Sequence, residues 1–168
     1  SITYALKKDR VEKENERKLR DSEAKYRTLA ENFPNGAVVL FDQDLRYTIA
    51  NGKGLAEAGL ERQNMIGKKI SEIFPQETCE IIEPYYRAAL QGKSTASEIS
   101  YAGKVYQTFT TPVFELDGTI NSGMVVTQDI TQQKVSEENL YNAGERLRQA
   151  QKMARLGHWD WSASTKEL

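Results

Sequence analysis

The stretch "PVFELDGTINSGMVVTQDIT", residues 112–131, decides how the chain is read. Upstream of it runs "VYQTFTTPVFE" (105–115), β-branched and aromatic in the manner of a long strand. Leu116-Asp117-Gly118-Thr119 interrupts that run, and Asp-Gly between two apolar segments is a strong short-range hairpin signal. The chain then returns as "INSGMVVTQDI" (120–130). This second strand ends on Asp129, Ile130 and Thr131, with no glycine or proline before a long polar segment. Thr131 suits a helix N-cap, because its hydroxyl can accept from an orphan backbone N–H of the first turn. Asp129 can set a carboxylate near the positive end of that helix. The sequence therefore joins a sheet to a helix with no slack between them.

Working outward from the hairpin, "STASEISY" (94–101) alternates as a strand, and Ala102-Gly103-Lys104 turns it toward 105. Nearer the N-terminus, Pro34, Asn35 and Gly36 break the pattern before "AVVLFD" (37–42), "QDL" turns it, and "RYTIAN" (46–51) returns. Between these groups lie Gly- and Lys-rich segments that read as short helical turns, including "IGKKISEIF" (66–74). Residues 75–93 come next, with Ile81, Ile82, Tyr85, Tyr86, Ala89 and Leu90 at amphipathic-helix spacing, stopped by Gly92. Pro84 within that segment implies a kink or a late helix start. The order predicts an α+β layer: a five-stranded antiparallel sheet with short helices on one face. The space between such layers is a natural small-molecule pocket.

The flanks differ in character. Residues 7–21 carry 12 charged side chains in 15, with Glu14/Lys18 and Glu16/Arg20 in helix-supporting order. Leu19, Tyr26 and Phe33 then recur at seven-residue spacing, with Leu29 beside them. This reads either as an exposed helix docking its end on a core or as one strand of a dimeric coiled coil. At the other end, Leu140, Ala143, Leu147, Ala150 and Ala154 step by 3, 4, 3 and 4, an alanine-rich heptad seam or a plain amphipathic helix. Overall, 168 residues with 39% hydrophobic and 28% charged content fit one domain with length to spare. A net charge of −1 gives no electrostatic reason to expect nucleic acid, and no apolar run is long enough to span a membrane. The one cysteine, Cys79, fits a reducing cytoplasm. The chain reads as a fragment of a longer protein.

The strand order, the "NG…VVLFD-x-D" opening, the "IGKKISEIF" loop and above all the 112–131 hairpin resemble a PAS domain of the bacterial sensor type. The resemblance covers about residues 22–133. Residues 1–21 resemble the last helix of a receiver domain running into a coiled-coil connector. Residues 134–156 would be an output linker helix. Residues 157–168, with Gly157, Trp159 and Trp161, resemble the truncated start of a second PAS domain. The resemblance implies an inward pocket set of Val39, Phe41, Ile49, Tyr106, Thr108, Thr110, Val125 and Thr127, with Ile73, Phe74, Ile81 and Tyr85 closing it from the helices. For each apolar member the alternative is ordinary core. Asp129, Ile130 and Thr131 would form the signalling junction, and Leu19, Tyr26, Leu29, Leu140 and Leu147 the dimer helices.

No motif names a ligand. The flavin-photoadduct motif Asn-Cys-Arg-Phe-Leu-Gln is missing, since "IGKKISEIF" has no cysteine, and the one histidine, His158, lies in the tail, which disfavours haem. A small-molecule ligand stays open. "NGKG" (51–54) lacks the surrounding pattern of a phosphate loop, and no metal-ligand cluster or nucleophile–base pair is suggested. The expected function is a cytoplasmic sensory or relay module of a multidomain protein, a sensor histidine kinase above all. It would act as a homodimer, with receiver, PAS and kinase or other output domains adjacent and any catalysis outside residues 1–168. The alternative is a ligand-free PAS dimerisation scaffold.

Overall fold

The structure, a computed structural model, describes the backbone of residues 1–164 and the side chains to Gly157. Helix α1 (Ile2–Glu31) is exposed along its length except at Ala30 in its last turn. Strands β1 (Gly36–Asp42) and β2 (Tyr47–Asn51) follow. Three one-turn helices come next, α2 (Gly54–Glu57), α3 (Arg62–Met65) and α4 (Ile70–Ile73), then the longer α5 (Gln76–Leu90). Strands β3 (Thr95–Tyr101), β4 (Lys104–Phe114) and β5 (Ile120–Asp129) complete the sheet. Helix α6 (Thr131–Ser164) belongs to a separate compact unit that begins at Ile130.

The sheet is antiparallel throughout, in the order β2-β1-β5-β4-β3. Its register sets the inner face in rows. Ala50, Val39, Val125, Thr110 and Thr95 stand opposite one another across all five strands. Ala37, Thr127, Thr108 and Ser97 form the next row. Ala102 and Gly103 both take positive φ (50° and 75°), as a two-residue hairpin requires; glycine does so freely and alanine at a steric cost. In the β4–β5 hairpin the Asp117 carboxylate accepts from the Thr119 amide and hydroxyl at 2.9 and 2.7 Å.

One irregularity matters for the site. Phe41 pairs with Tyr47 and Leu40 with Ile49, so Thr48 is an extra residue in β2. Strict alternation puts Tyr47 and Ile49 on one face. The bulge instead turns Tyr47 and Ala50 inward, both buried, and leaves Ile49 paired with Leu40 on the outer face. The segment after α3 closes the free edge of β2. Tyr47 donates to the Lys68 carbonyl at 3.0 Å and accepts from the Gly67 amide at 2.8 Å. The Arg46 guanidinium adds a bond to the Gly67 carbonyl at 3.0 Å. The Glu72 carboxylate caps α4 by accepting from the Lys69 amide at 2.7 Å.

Helix α5 runs through Pro84 and buries Cys79, Ile82, Tyr86 and Ala89 on one face; Ile81 is exposed. The Tyr86 ring stacks on the fully buried Phe41 ring, with centroids 4.3 Å apart and planes 20° apart. Beneath Phe41 lies Gly123 of β5, where an added Cβ would fall 2.2 Å from the ring. Helix α2 comes as close to β1: an added Cβ on Gly54 would lie 2.8 Å from the Gly36 amide nitrogen, and Gly52 (φ +123°) makes the turn that permits it. Gly123→Ala therefore forces the Phe41 ring off its seat. The expected loss is about 1–3 kcal/mol, the usual cost of overpacking a dense core. It is read as a lower urea midpoint at unchanged m-value.

Candidate functional site

Between the inner face of the sheet and the helices lies a cavity of about 100 Å³. Its floor comes from β1, β3, β4 and β5 through Ala37, Val39, Ile99, Tyr106, Thr108, Thr110, Val125 and Thr127. Its roof is Leu55 of α2, Met65 of α3, Phe74, and Ile82, Tyr85 and Tyr86 of α5. Tyr47 and Tyr101 close the sides. Phe74 meets Tyr101 edge-on, with ring centroids 5.3 Å apart. Among the described residues, no Lys, Arg, Asp, Glu or His side chain lines the space.

The polar groups are few and differ in how they are satisfied. The Tyr47 and Tyr86 hydroxyls bond each other at 2.8 Å in the buried interior. The Thr108 and Thr127 hydroxyls, on neighbouring strands, lie 3.3 Å apart. Tyr106 is buried, and its hydroxyl has no partner. Where the sheet ends beyond Tyr106, the Lys104 ammonium meets the Asp129 carboxylate at 3.2 Å. That hydrogen bond raises the lysine pKa. The Asp129 amide also donates to the Asn35 carbonyl at 2.7 Å, tying the end of β5 to the start of β1.

A family model described as the PAS fold matches residues 30–135, well over half the chain. The chain belongs to the PAS family. The PAS domain of a protein from Colwellia psychrerythraea superposes with a TM-score of 0.52 at 19% identity, over 65% of this chain and 98% of that one. The PAS domain of Bordetella pertussis BvgS gives 0.51 at 18% identity, over 74% and 98%. A sensory box sensor histidine kinase structure from Vibrio cholerae gives 0.50 at 17% identity, over 70% and 98%. At these identities the likeness is one of fold. No curated protein matches the chain. PAS domains are in general sensory modules rather than catalysts, and no enzyme family is indicated.

Of the residues expected to line the PAS pocket, Val39, Phe74, Tyr85, Tyr106, Thr108, Thr110, Val125 and Thr127 surround the cavity. Ile49 does not, because the Thr48 bulge turns it to the outer face. Phe41 lies under Tyr86 and is core rather than lining. Ile81 is exposed on α5, one residue away from the lining Ile82. Tyr47 escaped sequence reading for the reason that misplaced Ile49. Tyr86 was legible as the helix neighbour of Tyr85 but not as a hydroxyl in the cavity wall.

Cys79 is buried beside the α4–α5 corner, its thiol 3.5 and 3.4 Å from the Ile70 and Phe74 carbonyls. Burial raises its pKa, and it does not line the cavity. Among the described residues no group of His, Cys, Asp or Glu could hold a metal, and no helix is long and apolar enough to cross a membrane. Asp129 closes β5, and Thr131 is the first residue of α6, one place inside the cap position expected for it. The helix continues to Ser164, across residues 157–164 where a strand of a second PAS domain was expected. The side chains of His158, Trp159 and Trp161, and residues 165–168 altogether, lie outside the described residues.

Burial raises the pKa of Tyr86 to about 12 and pushes Tyr47 well above the ordinary tyrosine value, Tyr47 further raised by Tyr86 itself. Groups whose pKa is higher folded than unfolded stabilise fully below the unfolded value and lose that contribution as pH rises. The domain's urea midpoint should therefore decline between about pH 10, the unfolded tyrosine value, and about pH 12. Tyr86→Phe should lower stability at pH 8 and make the alkaline decline shallower. Denaturation of both proteins across that range checks it.

Proposed function

We infer that this PAS domain is the sensory or relay module of a cytoplasmic multidomain signalling protein of the sensor histidine kinase type. It passes the state of its cavity, or of a bound partner, into flanking helices of a homodimer. The observation that carries the reading is the placement of the cavity's polar wall. Thr127 lies on β5, and Tyr106 stands opposite Asp129 in the β4–β5 ladder. A molecule pressing on that wall bears on the last residues of the strand, and Asp129 is held there by Lys104. Two residues later the chain is helical and stays so for 34 residues. Asp129, Ile130 and Thr131 are in this reading the signalling junction, and Lys104 is the clamp that sets it.

Leu19, Tyr26 and Leu29 on α1, and Leu140 and Leu147 on α6, are all exposed. Apolar side chains at seven-residue spacing on a solvated helix are what a dimer seam requires. The same helices would connect the domain to receiver-like, second PAS and kinase or other output domains in a longer protein. Glu14 and Glu16 pair with Lys18 and Arg20 at 3.7 and 3.6 Å on α1, which supports the helix without burying it.

Two experiments test the reading. Replacing Leu19, Tyr26 and Leu29 together by polar residues should convert the dimer to a monomer in sedimentation, with the circular dichroism of the sheet kept. Unchanged sedimentation would sink the dimer. In the full-length protein, insertions after Gln133 should act by helical phase. One inserted residue rotates the downstream helix by about 100° and should lock or abolish output, whereas seven give about 720° and should preserve it. An output blind to this series would make the linker a passive tether and leave the domain a scaffold.

A further inference from the structure

We propose that the cavity selects a small, uncharged and mainly apolar molecule carrying a hydrogen-bond acceptor, and that the Tyr106 hydroxyl is the group that meets it. The inference deepens the sensory reading above and rests on it.

Charge is excluded by the lining. None of the described side chains around the cavity is ionisable at neutral pH, and the ion pair beyond its end, Lys104 with Asp129, is already closed at 3.2 Å. A carboxylate or ammonium brought inside would lose its water and gain no counter-ion, a cost that apolar contact does not offset. Size is limited as well. A cavity of about 100 Å³ has room on the order of one aromatic ring. Its walls suit a ring, with Phe74 and Tyr85 on the helical side and Val39 and Val125 on the sheet.

The polar groups of the wall are hydroxyls. Tyr47 shares one hydrogen bond with Tyr86, and Thr108 one with Thr127. Among the described residues, Tyr106 is the cavity-lining residue whose fully buried side-chain oxygen has no partner. Its burial and the neighbouring Asp129 charge both favour the protonated phenol, against the opposing pull of Lys104. A phenol is a good donor and a poor acceptor, because its lone pair is drawn into the ring. The group it lacks is an acceptor. A buried donor left unsatisfied is costly, so a ligand that supplies a carbonyl or ring nitrogen there gains both the new bond and the relief of that cost.

The test uses four monosubstituted benzenes of similar size on the 168-residue chain: acetophenone, ethylbenzene, benzoate and benzylammonium. Titration calorimetry and thermal melting are read for wild type and Tyr106→Phe. Acetophenone should bind and raise Tm, and the two ions should not. Tyr106→Phe should weaken acetophenone by about three- to tenfold, the worth of one net hydrogen bond, and leave ethylbenzene unchanged. Without any probe, the same variant should melt at or above the wild-type temperature, since it removes an unsatisfied hydroxyl. A lower Tm would show that the hydroxyl already has a partner and would overturn the assignment. Binding of benzoate or benzylammonium in preference to acetophenone, or equal loss of acetophenone and ethylbenzene in the variant, overturns the ligand class and leaves the sensory reading standing. Failure of all four probes to bind overturns the ligand class, and the sensory reading is then judged on its own by the insertion series after Gln133.

Discussion

The seating of one aromatic ring governs this domain. Phe41 fills the gap between the bare backbone of Gly123 and the face of Tyr86, and through it the central strands hold α5. Two strands and a helix meet on that ring, so its position fixes how far the helix stands from the sheet. Tyr86 then reaches Tyr47 on β2, and their shared hydrogen bond orients the outermost strand on that side. With the helix held off at one end of the sheet by packed rings, an open space remains at the other. The cavity is in this sense a product of the core rather than a flaw in it.

The sheet's inner face changes character along its length. At the Phe41 end it is aromatic and closely packed. Toward Asp129 it passes through threonines and a lone phenol to an ion pair. Such a gradient is unusual for plain core, where buried polar groups are nearly all paired. A mobile helix end could not hold this arrangement. It depends on β5 being paired on both sides, to β1 and β4, until its last residues.

Much of this was legible in the sequence. The β3–β4 and β4–β5 turns announce themselves through Gly103 and Gly118, both at positive φ, and the second of these hairpins carries the PAS resemblance. Tyr106, Thr108, Thr110, Val125 and Thr127 share the inner face with the cavity because β4 and β5 keep strict alternation there. Ile49 was misplaced because β2 does not: a single bulged residue reverses facing, and nothing in "RYTIAN" marks which residue is extra. The helical roof was harder. Leu55 and Met65 sit on single turns of four residues, too short for any period to show. Their approach to the sheet relies on Gly52 and Gly54, which read in sequence only as a flexible loop. Lys104 was passed over as a turn residue, since its partner Asp129 lies 25 positions away and only the sheet register joins them.

The strip from Gly67 to Ile70 that lies along β2 has an effect on the molecule's sociability. An open sheet invites a stranger's strand at either margin. Here one margin is occupied by the chain itself, through bonds at Tyr47 and Leu45. The other is β3, where Ser97, Glu98 and Ser100 make a polar, charged border. With one border taken by its own chain and the other lined by polar and charged side chains, the sheet offers little to the strand of another molecule.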